Sequence, residues 1–119
     1  MGKQILIIDD DLGIREALTE VLSMEGYEVE TAANGQEGLV KLRGFRPSLV
    51  LLDLMMPEMN GIEFRKAQLA EGLAPDVPVV LMSADGHLEK RRMQVEVTQC
   101  LKKPMDINEV LELVEKYCH

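Results

Sequence analysis

Short apolar runs alternate with stretches of helical periodicity along the whole chain. A continuous apolar run that ends in polar or turn residues is typical of a strand buried on both faces, whereas apolar residues recurring every three or four positions are typical of an amphipathic helix. The pattern predicts strands at residues 5–8, 27–32, 48–52, 77–82 and 98–101. It predicts helices at residues 14–22, 35–43, 61–71, 87–94 and 107–117.

This strict alternation of strands and helices predicts an α/β fold, with a parallel sheet covered by helices on both faces. Crossover connections in such a sheet are right-handed, and ligands bind at the carboxyl ends of its strands. A length of 119 residues with 46% hydrophobic residues suits one domain with a real core, so we expect a single domain over residues 1–119.

Composition and charge exclude several functions. The net charge is −8 and the isoelectric point about 4.7, and such an acidic surface argues against direct binding of nucleic acid or of an anionic membrane. No apolar run approaches the roughly 20 residues of a membrane span. Cys100 and Cys118 are too few and too unpatterned for a disulfide framework or a zinc site. We therefore expect a soluble, cytoplasmic protein.

Polar side chains follow four of the predicted strands. Three carboxylates, at residues 9–11, follow the first strand; Asp53 follows the third, Ser83 the fourth and Lys103 the fifth. The carboxyl ends of parallel strands lie at one edge of the sheet, so we expect these groups to converge in one cleft. Asp11 is the weakest candidate, because it is equally suited to cap the first helix or to face solvent.

The chemistry of this set points to a phosphoryl group. Carboxylates that lie close together repel, so they either raise their pKa values or share a cation. Oxygen ligands that leave several positions to water suit Mg²⁺. A hydroxyl and an ammonium group nearby could bind phosphoryl oxygens, and a carboxylate can act as the nucleophile that forms an aspartyl phosphate.

In four motifs at the ends of its predicted strands, the chain resembles the receiver domain of two-component response regulators. The resemblance covers essentially the whole length of the chain. The motifs that carry the resemblance are IIDDD from Ile7, LLDLMMP from Leu51 with NG at Asn60, LMSA from Leu81 and LKKP from Leu101. The resemblance implies a flavodoxin-like, doubly wound sheet of five parallel strands in the order 2-1-3-4-5, with five helices.

The resemblance also implies roles for individual residues. Asp53 would accept the phosphoryl group, and Asp10 would hold Mg²⁺ with Asp9, Asp53 and the backbone carbonyl of Met55. The hydroxyl of Ser83 would bind the phosphoryl group after it arrives. The ammonium of Lys103 would pair with Asp53 and then with the phosphoryl oxygens. The residues that the resemblance places at the site are therefore Asp9, Asp10, Asp53, Met55, Ser83 and Lys103.

Two backbone features belong to the same expectation. Pro104 would follow a cis peptide bond, and Gly61 would allow the sharp turn before the third helix. The phosphoryl donor would be a sensor histidine kinase or a phosphotransfer protein. Phosphorylation would switch the face formed by the helix at residues 87–94, the fifth strand and the last helix, for a downstream protein, an output domain or a second copy of the chain.

Two alternatives stay open at this point. A haloacid-dehalogenase-type phosphatase also has a nucleophilic Asp after a parallel strand, but it needs a second Asp two residues on, where this chain has Met55. The retained Asp10, Asp53, Ser83 and Lys103 argue against a pseudo-receiver that binds partners without phosphorylation, but departures from the family pattern keep it open. Cys100 stands where the family commonly has an aromatic residue, residues 95–97 replace a small-Gly-small turn, and the interval from Ser83 to Lys103 is slightly short.

Overall fold

A computed structural model of the chain describes residues 3–84 and 97–118. The five strands are β1 (Gln4–Ile8), β2 (Glu28–Ala32), β3 (Leu49–Asp53), β4 (Val79–Ser83) and β5 (Gln99–Lys102). The helices within the described residues are α1 (Leu12–Met24), α2 (Gly35–Gly44), α3 (Gly61–Ala70) and α4 (Ile107–Tyr117). Four of the five predicted helices are thus confirmed, and the helix predicted at residues 87–94 lies outside the described residues.

The strands form one parallel sheet in the order β2-β1-β3-β4-β5, as expected. Every residue of β3 and β4 is buried, as are residues Ile5 to Ile8 of β1, which explains why these strands are continuous apolar runs. β2 lies at an edge and alternates between exposed and less exposed residues. The strand order reverses between β1 and β3, so the carboxyl ends of these two strands flank the position where such sheets bind ligands.

Alternate residues of each strand supply two apolar cores, one on each face of the sheet. On one face, residues such as Leu6, Leu52 and Leu81 pack with Phe64 of α3 and with α2. On the other face a second set packs with α1 and α4; it includes Ile5, Ile7, Leu51, Val80, Met82, Leu22 and Val114. Full burial of one such side chain stabilises a fold by about 1.5–3 kcal/mol, so the two cores hold the strand ends in fixed register.

Each of the four described helices is capped by an Asx residue whose side chain accepts a hydrogen bond from a backbone N–H of the first turn. Asp11 caps α1 by accepting from the backbone N–H of Ile14 at 3.2 Å, which confirms one of its two predicted roles. Asp106, rather than the neighbouring Asn108, caps α4. Caps of this kind fix where a helix starts and therefore how tightly it follows the preceding strand.

Gly61 lets α3 start directly against the end of β3. A Cβ at this position would lie 2.8 Å from the carbonyl oxygen of Asp53 and 3.0 Å from Cα of Leu54, both of them backbone atoms. Its own N–H donates to the carbonyl of Leu54 at 2.8 Å. The expected sharp turn is present, and it holds the β3–α3 loop close to the edge of the sheet.

None of the helices among the described residues has the length and apolarity needed to cross a membrane.

Candidate functional site

A cleft of about 530 Å³ lies at the carboxyl edge of the sheet. Its lining residues are Asp9, Asp10, Asp11, Asp53, Met55, Ser83, Ala84 and Lys103. All six residues expected to act together therefore line one cavity, although they are spread over more than ninety positions of the sequence.

Strand pairing explains why the carboxylates meet. Ile8 pairs with Leu52 in the parallel ladder of β1 and β3, so the residues that follow them, Asp9 and Asp53, lie side by side. Both are buried, at 0% and 3% exposed, whereas Asp10 is exposed. One oxygen from each of the three carboxylates lies within 4.8 Å of the other two. Two carboxylates of this cluster thus lie inside the fold and one lies at its open side.

Lys103 reaches this cluster from the far end of β5. Its ammonium donates to Oδ2 of Asp9 at 2.9 Å and to Oδ1 of Asp53 at 3.2 Å. Its backbone N–H donates to the carbonyl of Ser83 at 2.9 Å, and the peptide bond to Pro104 is cis, as expected. The resemblance implied a pairing with Asp53, and the structure adds the shorter contact with Asp9.

Burial and charge shift the titration of the paired groups. Burial raises the pKa of Asp53 from 3.8 to about 6, and the negative charge of Asp9 adds to this, while Lys103 opposes it. Burial lowers the pKa of Lys103, but hydrogen bonds and charges from Asp9 and Asp53 outweigh that effect and raise it overall. Two buried carboxylates therefore share one ammonium group, and burial together with the charge of Asp9 opposes ionisation of Asp53.

Ser83 ends β4 beside this pair, 1% exposed and in the lining of the cleft. Met55 also lines the cleft, and its side chain is 58% exposed. The site thus offers carboxylate oxygens, a hydroxyl and an ammonium group around one opening. Such hard oxygen ligands with an open side fit Mg²⁺, which keeps several of its waters or exchanges them for phosphate oxygens.

One contact in the site was not predicted from the sequence. Nη1 of Arg15, on α1, donates to the backbone carbonyl of Asp9 at 2.7 Å. A helical Arg among apolar residues ordinarily indicates a solvent-facing position, so periodicity gave no reason to single it out. The available signal was electrostatic, because a cation near the N-terminal end of a helix is disfavoured by the helix dipole.

An apolar groove of about 380 Å³ adjoins the cleft between α1 and α4. Its apolar lining is Ile14, Ala17, Leu18, Pro104, Met105, Ile107 and Val110. Ala84 and Lys103 line both the groove and the acidic cleft. A partner in the groove would therefore lie next to Asp53.

Cys100 lies half-buried on β5 and packs against the core on the α2 and α3 face of the sheet. The position that is commonly aromatic in receivers thus carries a small side chain in this fold. Of residues 95–97, where the sequence departs from the family pattern, only Val97 falls within the described residues, and it is buried.

Comparisons with known proteins agree with this geometry. A family model for the response regulator receiver domain matches residues 5–115. The chain is 40% identical over 119 residues to Sporulation initiation phosphotransferase F of Bacillus subtilis, which covers 98% of this chain and 94% of that protein. It is 39% identical over 114 residues to the Transcriptional regulatory protein CpxR homolog of Haemophilus influenzae, with 94% of this chain but 48% of that protein covered. The chain therefore spans nearly all of the first relative and about half of the second.

Solved structures share the fold. The chemotaxis response regulator CheY4 of Vibrio cholerae superposes with a TM-score of 0.90 at 31% identity, covering 98% of this chain and 99% of that one. The response regulator protein TrrA of Thermotoga maritima, solved in complex with Mg²⁺ and BeF, gives a TM-score of 0.83 at 33% identity, covering 97% of this chain and 98% of that one.

Proposed function

The chain belongs to the response regulator receiver domain family, and on this premise we propose that it is a switch that accepts a phosphoryl group on Asp53. The observation that carries the proposal is the buried carboxylate at the end of β3, which is bonded to Lys103 at 3.2 Å and lies within 4.8 Å of Asp9 and Asp10. The phosphoryl donor would be a phosphohistidine of a sensor histidine kinase or of a phosphotransfer protein.

The carboxylates of Asp9, Asp10 and Asp53 would hold Mg²⁺ together with the backbone carbonyl of Met55. Bound there, the cation would offset negative charge on the phosphoryl oxygens and orient them for in-line transfer. The exposed position of Asp10 leaves the open side of the cluster accessible to the incoming group. The proposed metal site thus uses two buried ligands for rigidity and one exposed ligand for entry.

In the transfer step a carboxylate oxygen of Asp53 attacks phosphorus. The new oxygen–phosphorus bond forms as the nitrogen–phosphorus bond to the donor imidazole breaks, and the imidazole leaves with the bonding electron pair. Lys103 then pairs with phosphoryl oxygens, and the hydroxyl of Ser83 donates to another. Asp53 must be ionised to act as the nucleophile, and a pKa of about 6 leaves it mostly ionised near neutral pH.

Small phosphodonors test this proposal without a kinase. Wild-type protein, Asp53→Asn and the control Asp76→Asn are incubated with acetyl phosphate, with Mg²⁺ or with EDTA, and their intact masses are measured. Asp76 is a suitable control because it is an exposed carboxylate paired with Arg46. We expect Mg²⁺-dependent phosphate on the wild type and on Asp76→Asn, and none on Asp53→Asn.

Each other outcome has a distinct meaning. Phosphate on Asp53→Asn at the wild-type level would place the chemistry on another residue. Absence of phosphate from all three proteins, together with no response to beryllofluoride, would favour the pseudo-receiver alternative.

The donor protein is proposed to dock in the apolar groove between α1 and α4. An amphipathic helix is the natural occupant, because it can bury an apolar stripe in the groove while it presents its histidine to the adjoining cleft. Ile107, at the rim, is 42% exposed, so its side chain is available to such a partner. The shared lining by Ala84 and Lys103 sets the direction from which the phosphoryl group arrives.

A charge introduced at the rim of the groove should block docking of the donor protein without affecting the chemistry at Asp53. Ile107→Lys should lose phosphotransfer from a kinase while it keeps phosphorylation by acetyl phosphate. The matched control is Val40→Lys, since Val40 is an exposed apolar residue, 62% exposed, on α2, which covers the other face of the sheet. Equal loss of kinase phosphotransfer in both variants, or none in either, would contradict docking in this groove.

Phosphorylation is further proposed to alter the face that includes β5 and α4, for a downstream protein, an output domain or a second copy of the chain. The expected third part of this face, at residues 87–94, lies outside the described residues. A Cys side chain at position 100 buries far less apolar area than an aromatic ring, so its rotamer can bias this face only weakly. The signal is therefore proposed to travel through the backbone that follows Ser83.

A further inference from the structure

Arg15 occupies a position that helix electrostatics disfavour. It lies four residues after the N-cap Asp11, near the positive end of the α1 dipole, where a cation typically costs about 0.3–1 kcal/mol. Its side chain is half-buried, and Nη1 donates to the carbonyl of Asp9 at 2.7 Å. A charged hydrogen bond to a carbonyl is among the stronger ones, so this contact offsets the unfavourable position.

The contact completes a set of bonds around Asp9. The backbone N–H of Asp9 donates to the carbonyl of Ala32 at 3.1 Å. Its Oδ1 accepts from the N–H of Asp11 at 2.9 Å, and its Oδ2 accepts from Lys103 at 2.9 Å. Its remaining backbone group, the carbonyl, accepts from Arg15. Side chain and backbone of Asp9 are therefore fixed at four points.

The hydrogen bond to the Asp9 carbonyl differs from the other three because it controls the orientation of the peptide that joins Asp9 to Asp10. A peptide bond is planar, so the carbonyl of Asp9 and the nitrogen of Asp10 move as one unit. Fixing that carbonyl orients the plane from which Asp10 continues. Asp10 itself is exposed, so packing constrains its carboxylate less than that of the buried Asp9, and the direction of its backbone matters more.

We infer that Arg15 is a positioning residue for the metal ligands, which holds the Asp9–Asp10 peptide so that the Asp10 carboxylate faces the cleft. The inference rests on the proposed function, because it assigns Arg15 a role at that same metal site. Groups that orient metal ligands are typically worth tenfold or more in metal affinity.

Charge alone makes the opposite prediction. Arg15 is a cation close to a site for a divalent cation, so its removal would strengthen Mg²⁺ binding if only the charge mattered. Positioning predicts that removal weakens binding. The sign of the change therefore distinguishes the two effects.

Mg²⁺ affinity is measured by isothermal titration calorimetry on wild type, Arg15→Met and Arg15→Lys. Met keeps much of the apolar stem and removes the donor and the charge, whereas Lys keeps the charge and one donor. We expect Arg15→Met to bind Mg²⁺ about tenfold more weakly and Arg15→Lys to recover much of the loss. The control Arg43→Met removes a cation from the exposed pair with Glu71, and should bind as the wild type does.

A second readout separates positioning from a direct role in transfer. When Mg²⁺ is raised from a limiting to a saturating concentration, the rate at which acetyl phosphate phosphorylates Arg15→Met should rise by a larger factor than the wild-type rate, because the metal then holds the loop that Arg15 held. A rise by the same or a smaller factor would overturn the positioning role.

Other results overturn the inference in distinguishable ways. Equal or tighter binding in Arg15→Met, or equal weakening in Arg43→Met, would overturn it and leave the proposed function intact. A lower free energy of unfolding in EDTA with unchanged Mg²⁺ affinity would reduce Arg15 to a structural role. Absence of Mg²⁺ binding by the wild type would overturn the proposed function and this inference together.

Discussion

Replacement of Asp53 by Asn removes the carboxylate whose ionisation the metal-free fold opposes. Its pKa rises from 3.8 to about 6 through burial and the charge of Asp9. Since one pKa unit corresponds to about 1.4 kcal/mol, ionisation of this group costs the folded state about 3 kcal/mol more than it costs the unfolded state. Asn keeps the shape of the side chain and does not titrate.

The sign follows from which state binds the proton. Between the unfolded pKa near 4 and the folded pKa near 6, the folded state holds a proton that the unfolded state has released. The contribution of Asp53 to stability therefore falls as pH rises through this window, and it stays low above it. The free energy of unfolding of Asp53→Asn minus that of the wild type should increase by up to about 3 kcal/mol between pH 4 and pH 7 in EDTA.

Urea unfolding followed by circular dichroism measures this difference at several pH values. Contacts of the side chain that do not depend on its charge change the stability of the variant by an amount that depends little on pH, so the change with pH, rather than the offset, carries the test. With Mg²⁺ present the change should shrink, because the cation favours the ionised carboxylate. The control Asp76→Asn should give a difference that is nearly flat over most of this window, because a hydrogen bond from Arg46 lowers the pKa of Asp76, so this exposed carboxylate is already ionised in both states there.

A difference that is flat across the window would refute the reasoning, since it would mean that Asp53 titrates alike in both states. A difference that falls toward neutral pH would mean that Lys103 outweighs burial and that the site stabilises the ionised carboxylate without a metal.

Three further outcomes are expected. Mg²⁺ should raise the melting temperature of the wild type and much less that of Asp10→Ala, because a ligand that binds the native state adds RT ln(1 + [L]/Kd) to its stability; an equal rise would remove Asp10 from the site. Gly61→Ala should lower the free energy of unfolding by about 1–3 kcal/mol, because its Cβ would meet backbone atoms. The control Gly44→Ala, with nothing within 4 Å of its Cβ, should not lower it comparably. Urea midpoints compare the two variants, and equal effects would contradict the close approach at Gly61. Amide hydrogen exchange in β5 should respond weakly to beryllofluoride in the wild type and more strongly in Cys100→Tyr, and a strong wild-type response centred on β5 would make Cys100 an active relay.

Local sequence patterns were sufficient to predict the strands, most of the helices and the edge of the sheet at which the candidate site forms. A strand buried on both faces must be apolar throughout, so each run could be recognised from its own residues, and the polar residue after each run marked the carboxyl edge. The observed strand bounds differ from the predicted ones by at most two residues, the largest difference being the start of β4 at Val79 rather than at residue 77. Asp53 and Ser83 belong to β3 and β4, because the parallel ladder continues through them.

The resemblance supplied the roles of the site residues, and these stay predictions. It also supplied the strand order, which the structure confirms. A raised pKa somewhere in the carboxylate cluster was one expectation from the sequence. Neither periodicity nor motif spacing indicated that the rise would fall on Asp53 with burial as its main cause, or that Lys103 would lie nearer to Asp9 than to Asp53. The Lys103 distances and the pKa of Asp53 depend on how deeply the side chains are buried and how far apart they lie. Local sequence patterns set neither of these.

Sequence by itself determined which residues are strands and helices, because apolar periodicity is a property of neighbours within one or two turns. Only the tertiary structure decided how the strand ends face one another. Lys103 meets Asp9 across 94 positions of the chain and Asp53 across 50, and Arg15 on α1 meets the Asp9 carbonyl six positions before it. Such contacts depend on the packing of α1 and α4 against the same face of the sheet, which fixes side-chain positions to within a hydrogen-bond length.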